Sequence, residues 1–320
     1  MPPAPPPVPN PQPHTNHTPL PPCLFIGAGS MGYAILSGAL DHHLLDASTT
    51  TIAEPSAEAR ERLAKLNPAL RLAPTAAEAL ALTQSDAAFV LCIKPQMLDD
   101  VAREITPLVS PASNHHSRRI ISILAGTPLA RLHTLFDTPH ARHDIARAMP
   151  NLALRIGKGV SALAIDPITS TTARAASSGG VEHAPPSSAP PSARTIARAL
   201  LGINHQLVVD LDESLLDPFT ALAGSGPAYL FLLAEAMRDA AIKQGLPKDQ
   251  ADAITRATLS GSAELLFQSQ ESPESLRAAV TSKGGTTAAA IDTMLCAHLP
   301  STIHAAIAAA TARAKEIARS

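Results

Sequence analysis

The chain has 320 residues, enough for two domains with separate cores. A net charge of −2, 2% aromatic residues and no Trp argue against a polyanion-binding surface and against the stacking platforms of a single-strand nucleic-acid binder. No apolar run reaches the roughly 18 residues of a membrane span. The first 22 residues hold no apolar h-region and the first Arg or Lys is Arg60, so neither a secretory signal nor an Arg-rich transit peptide is expected. Three widely spaced cysteines, Cys23, Cys92 and Cys296, read as buried free thiols of a reducing compartment. The composition thus points to a soluble, cytoplasmic protein with neither nucleic acid nor membrane as partner.

In chain order, residues 1–22 are Pro-rich without apolar periodicity and predict a disordered tail. "CLFI" (23–26) predicts a strand, 31–40 a helix, 49–53 a second strand and 56–66 a second helix. The continuous apolar run 87–93 has the pattern of a strand covered on both faces of a parallel sheet. Residues 119–124 repeat that signal and 144–149 carry it more weakly. Alternating strands and helices with short loops predict right-handed crossovers and a doubly wound α/β sheet of Rossmann type, spanning 23–212. Beyond Pro150 the rhythm changes. Strands are expected at 159–165 and 205–211, separated by a helix near 193–201 and by a Ser-, Ala-, Gly- and Pro-rich surface insertion at about 168–193. From Glu213 to the end (213–320) the pattern is entirely helical, with stops at Gly226-Pro227, Leu246-Pro247, Ser272-Pro273, Gly284-Gly285 and Pro300. The helix 228–244 is apolar nearly all round, which predicts burial between helices or across a subunit interface.

Gly27, Gly29 and Gly32 form G-x-G-x-x-G between the first strand and the first helix, the context in which that spacing cradles a dinucleotide pyrophosphate. Gly27, Ala28, Gly29, Ser30, Met31 and Gly32 are therefore candidate cofactor contacts. Glu54 ends the second strand, where a carboxylate accepts from the ribose hydroxyls of NAD and repels a 2′-phosphate. Ser56, Arg60 and Arg62 follow within two turns and offer a hold for that phosphate, so NAD and NADP both stay open. Cys92, Ile93, Lys94 and Pro95, and then Ile123, Leu124 and Ala125, lie at the carboxyl ends of further strands, the ligand-binding edge of such sheets. In the helical half, Ser225 and Gly226 precede Pro227 at a helix start. Free N–H groups and a hydroxyl there make either a carboxylate site or an ordinary turn. Thr281, Ser282, Gly284, Gly285 and Thr286 pose the same choice between an anion loop and a cap. The 13 histidines show no metal-ligand spacing, and His42-His43 and His115-His116 read as solvated loop residues.

Six stretches in order, "FIGAGSMG", "CIKPQ", "SILAG", "ARAMPNLALRIGKGVSAL", "DPFTALAGSGPAYLFLLAEAMRDAAIKQGLP" and "VTSKGGTTAAAI", resemble the pyrroline-5-carboxylate reductases over nearly the whole chain. The resemblance implies a Rossmann domain joined to a helical domain that interlocks with its twin, as a homodimer or a ring of dimers. It implies NAD(P)H-dependent reduction of the C=N bond of 1-pyrroline-5-carboxylate to proline, with NADP as cofactor and NAD possible. It places Ser225, Gly226 and Pro227 at the substrate carboxylate and Glu213 near the ring nitrogen, with the 281–287 loop closing the site from the partner subunit. Ser225 and Glu213 are the catalytic candidates, and no metal is implied. Lys283 stands where the family commonly has Pro, and Leu152 or Ala153 where it has Thr. Another NAD(P)-dependent cyclic imine reductase, a hydroxy-acid dehydrogenase and a non-enzymatic cofactor-binding scaffold are the competing readings.

Overall fold

The computed structural model describes residues 19–109, 117–139, 141–165, 190–203 and 206–318. Most of the expected tail and most of the expected insertion lie outside the described residues. Leu20 N–H donates to Leu44 O (2.9 Å) and Pro22 O accepts from Ala88 N–H (2.9 Å), so residues 19–22 are tied to the sheet. Ser192 caps a helix through the Thr195 N–H (3.2 Å), and Ala193 is fully buried, so both belong to that helix.

The described residues form two compact units, one of residues 19–224 with 311–318, the other of 225–310. In the first, the elements run β1 (Cys23–Ile26), α1 (Ser30–Asp41), β2 (Thr51–Ala53), α2 (Ala57–Leu66), β3 (Arg71–Ala73), α3 (Ala76–Ala81), β4 (Ala88–Leu91) and α4 (Leu98–Val109). They continue with β5 (Arg119–Ser122), α5 (Leu129–Phe136), β6 (Asp144–Pro150), β7 (Val160–Ile165), α6 (Ala193–Leu201), β8 (Leu207–Asp212) and the short α7 (Leu216–Phe219). The eight strands form one sheet in the order β3-β2-β1-β4-β5-β6-β7-β8. Strands β1 to β6 are parallel, as the alternating pattern predicts. The β6–β7 pair is antiparallel instead, because only the short turn Leu152–Ile156 joins these strands and a parallel return needs a longer crossover. Helix α6 then supplies that crossover, and β8 runs parallel to β7.

Strand β1 shows why an all-apolar run belongs here. Cys23 and Phe25 enter one apolar layer with Ile35, Leu36, Ile196 and Leu200, while Leu24 and Ile26 enter the opposite layer with Phe89, Ile105, Leu132 and Phe136. Period-two alternation thus buries every side chain when helices cover both faces. Each fully buried Phe or Leu contributes roughly 1.5–3 kcal/mol.

The second unit contains α8 (Gly226–Lys243), α9 (Lys248–Gln268), α10 (Pro273–Ala279), α11 (Thr286–Cys296) and α12 (Leu299–Ile317), whose last turns join the first unit. Pro227 and Pro273 occupy first-turn positions, where a missing N–H costs nothing. Among residues 225–310 only Ala251 and Thr255 are buried. Leu232 is 67% exposed and Phe267 78% exposed, so this unit buries almost no core within one chain. The expected burial of the helix 228–244 is therefore absent inside the chain, which leaves a surface to be covered from outside. Cys296 is exposed for the same reason, against the expectation of a buried thiol. Burial pushes the Cys23 thiol up to about 12 and the Cys92 thiol likewise to about 12, so both stay protonated at neutral pH. No single described helix is long and apolar enough to cross a bilayer; α11 and α12 reach that length and composition only as a pair bent by 52°.

Candidate nucleotide and substrate site

The register puts the ends of four strands level. Ile26 pairs with Ala53 and with Leu91, and Leu91 pairs with Ser122. The loops that follow, 27–32, 54–56, 92–95 and 123–125, therefore emerge side by side on one edge. They are stitched by backbone bonds: Gly27 N–H to Ala53 O (2.8 Å), Cys92 N–H to Ile26 O (2.8 Å) and Ile123 N–H to Leu91 O (3.2 Å). The residues predicted at the glycine loop, Glu54, Ser56, 92–95 and 123–125 lie in these four loops, while Arg60 and Arg62 lie on α2.

Within the first loop, Gly27 sits at φ 87°, and a Cβ there would come within 2.9 Å of Cys92 O. Only glycine allows that turn. Gly32 packs α1 onto the sheet so closely that a Cβ would meet Gly27 O at 2.9 Å. Gly29 by contrast has nothing within 4 Å and starts α1, which has no side-chain cap. The exposed N–H groups of that helix start, beside an open glycine, fit the pyrophosphate of a dinucleotide.

Glu54 spans two loops. Its Oε2 accepts from Ala28 N–H (2.9 Å) and its Oε1 from Ser56 N–H (3.0 Å). The Ser56 hydroxyl caps α2 by accepting from Ala59 N–H (3.2 Å). Arg60 Nη1 donates to Glu54 O (2.7 Å) and Pro55 O (2.8 Å). Arg62 stacks on the Tyr33 ring at 4.3 Å and donates to Ala28 O (3.4 Å). Lys94 is exposed at the start of a short helical turn, while Leu124 is buried in the apolar layer with its N–H donating to Ser122 Oγ (3.3 Å).

Glu213, just past β8, is held rather than free. Its Oε1 accepts from Arg147 Nη1 (2.8 Å) and from Leu129 N–H at the start of α5 (2.7 Å). Arg147 on β6 is 6% exposed. Sequence reasoning passed over Arg147, although one arginine inside the apolar strand "DIARAMP" is the signature of a paired buried charge. The remaining predicted residues belong to the second unit and mark two helix starts. Ser225 precedes α8, whose first residue is Gly226, and Thr281, Ser282, Gly284 and Gly285 precede α11 at Thr286. Neither start has a side-chain cap or an acidic residue in its first turn; at α8, however, Pro227 has no N–H and Ala228 N–H donates to Ser225 O (3.0 Å), so it is the α11 start that offers N–H groups to an anion.

Residues 23–126 match the family model described as NADP oxidoreductase, coenzyme F420-dependent, and residues 213–317 match the model for pyrroline-5-carboxylate reductase dimerisation. A pyrroline-5-carboxylate reductase of Pseudomonas aeruginosa is 33% identical over 92% of this chain and 96% of its own. Another, from Vibrio alginolyticus, is 34% identical over 92% of this chain and 96% of its own. Among solved structures, a pyrroline-5-carboxylate reductase of Coxiella burnetii gives a TM-score of 0.72 at 25% identity, covering 92% of this chain and 98% of that one. A pyrroline carboxylate reductase of Plasmodium falciparum, solved with NADP bound, shares the fold with a TM-score of 0.71 at 21% identity over 92% of this chain and 97% of that one. Fold and glycine cradle define a two-part oxidoreductase, a Rossmann sheet followed by a helical dimerisation module. With relatives this similar over nearly its full length, the chain belongs to the pyrroline-5-carboxylate reductase family.

Proposed function

We propose that the protein reduces the C=N bond of 1-pyrroline-5-carboxylate to give L-proline, drawing on NADP(H) or NAD(H), as a homodimer in the cytoplasm. The observation that carries the reading is the pairing of an open Gly29 helix start with a dimerisation module matched over residues 213–317. A reduced nicotinamide bound at the cradle supplies the hydride. The imine carbon takes that hydride and its nitrogen takes a proton, so the demand on side chains is positioning more than acid–base work. Residues 27–32 hold the pyrophosphate, and the 92–95 and 123–125 loops border the rest of the dinucleotide. Ser225 and Gly226, with Pro227 fixing the helix entry, hold the substrate carboxylate, and the loop from Thr281 to Thr286 adds donors. Glu213 shares its charge with Arg147, which suits it to fixing the chain past β8. Ser225 is then the better candidate for direct contact with substrate.

The bare apolar surface of the second unit supports self-association, and the finer assembly is a matter for sedimentation. Ser225→Ala tests the carboxylate anchor. Its substrate KM is expected to rise about tenfold, the worth of one charge-assisted hydrogen bond, with an unchanged Kd for the dinucleotide. A variant that lost dinucleotide affinity and kept its substrate KM would overturn the assignment.

A further inference from the structure

The ribose end of the cradle carries a feature that bears on which dinucleotide the protein takes. Glu54 leaves β2 level with the glycine loop, and its carboxylate is pinned at both oxygens, by Ala28 N–H at 2.9 Å and by Ser56 N–H at 3.0 Å. Turning it away forfeits two charge-assisted bonds, so the negative charge stays where it is. Neighbouring cations are turned elsewhere. Arg60 Nη1 is directed at the carbonyls of Glu54 and Pro55, and Arg62 lies flat on Tyr33 with Nη2 toward Ala28 O.

We infer that Glu54 is the residue by which this chain discriminates between the two nicotinamide dinucleotides, opposing the 2′-phosphate of NADP(H) and accepting from the free ribose hydroxyls of NAD(H). The inference rests on the cradle binding a dinucleotide. An acid at the end of the second strand accepts from ribose hydroxyls. A phosphate on the 2′-oxygen brings between one and two further negative charges against the same carboxylate. With Arg60 and Arg62 engaged on backbone carbonyls and on Tyr33, NADPH is taken at a handicap set by Glu54.

The test is equilibrium binding of NADH and of NADPH to the full chain, followed by nucleotide fluorescence, for the wild type, Glu54→Gln, Glu54→Ala and Glu54→Asp. Both neutral variants are expected to improve the affinity for NADPH relative to NADH by about tenfold. Glu54→Asp keeps the charge and is expected to hold the ratio within about twofold. Thermal melting of each variant confirms that the fold is kept, and the two neutral variants guard against one of them failing to fold. Binding of both nucleotides with an unchanged ratio in the neutral variants overturns the inference about Glu54 and leaves the cradle intact. A wild type that binds neither nucleotide overturns both.

Discussion

Removing the carboxylate of Glu213 isolates a charge that the fold has buried. Arg147 is 6% exposed, and its Nη1 meets Glu213 Oε1 at 2.8 Å. Among the described residues its Nε finds no partner. In Glu213→Ala the guanidinium stays in the sheet without its counter-ion, and the Leu129 N–H at the start of α5 loses its acceptor. Breaking a buried pair from one side costs roughly 3–5 kcal/mol. Because the Glu213 side chain is 28% exposed and water can reach the gap, the lower end applies, about 3 kcal/mol with the lost N–H acceptor included. For a folding unit the size of the first, roughly 200 residues, that is a fall in Tm of roughly 6–12 °C. The assay is thermal unfolding without nucleotide, run on Glu213→Ala, Arg147→Met and the double variant. The double variant is expected to recover about 2 kcal/mol relative to the sum of the singles, since the stranded charge is gone. A Glu213→Ala protein melting within about 2 °C of wild type, or strictly additive losses, would refute the reasoning.

Two further outcomes follow from exposure and from charge. Leu232→Asp places a carboxylate on a side chain that is 67% exposed within one chain, so a single subunit should tolerate it within about 0.5 kcal/mol. Sedimentation should nevertheless show the assembly of the wild type reduced to monomer; a monomeric wild type or an undisturbed variant assembly would speak against dimerisation through α8. His143 is buried, which lowers its pKa from 6.5 against the pull of Asp137, and its Nδ1 accepts from Arg118 N–H at 2.9 Å. A depressed histidine binds fewer protons folded than unfolded, so its contribution is complete above pH 6.5 and is lost as pH falls through that value toward the folded pKa. Denaturation midpoints of His143→Asn, which keeps an acceptor, should fall less steeply below pH 6.5 than those of wild type, and equal slopes would contradict the assignment.

What could be read from the sequence was whatever has strong period or punctuation. "CLFI" and 87–93 are unbroken apolar runs because helices cover both sheet faces, and each is a strand near its expected place. β3 escaped because Arg71–Ala73 is too short to show alternation and lies at the sheet edge, where Arg71 needs no burial. Helix α4 carries Pro107 inside it, and α5 spans only Leu129–Phe136, so neither gave a clean helical signal. The reversal at β7 is a property of loop length and could not be seen in strand composition. At the site, glycine spacing announced the cradle because backbone geometry admits no other residue at Gly27. The Arg147–Glu213 pair stayed hidden because its partners lie 66 residues apart and meet only when β6 and β8 share a sheet.

The most direct measurement of the central claim is oxidation of NADPH and of NADH by the purified protein, followed by the loss of reduced-nicotinamide absorbance with and without 1-pyrroline-5-carboxylate. Turnover that depends on the pyrroline and yields proline in equal amount to the nucleotide oxidised is expected. Tight nucleotide binding with no pyrroline-dependent oxidation of either reductant would contradict it.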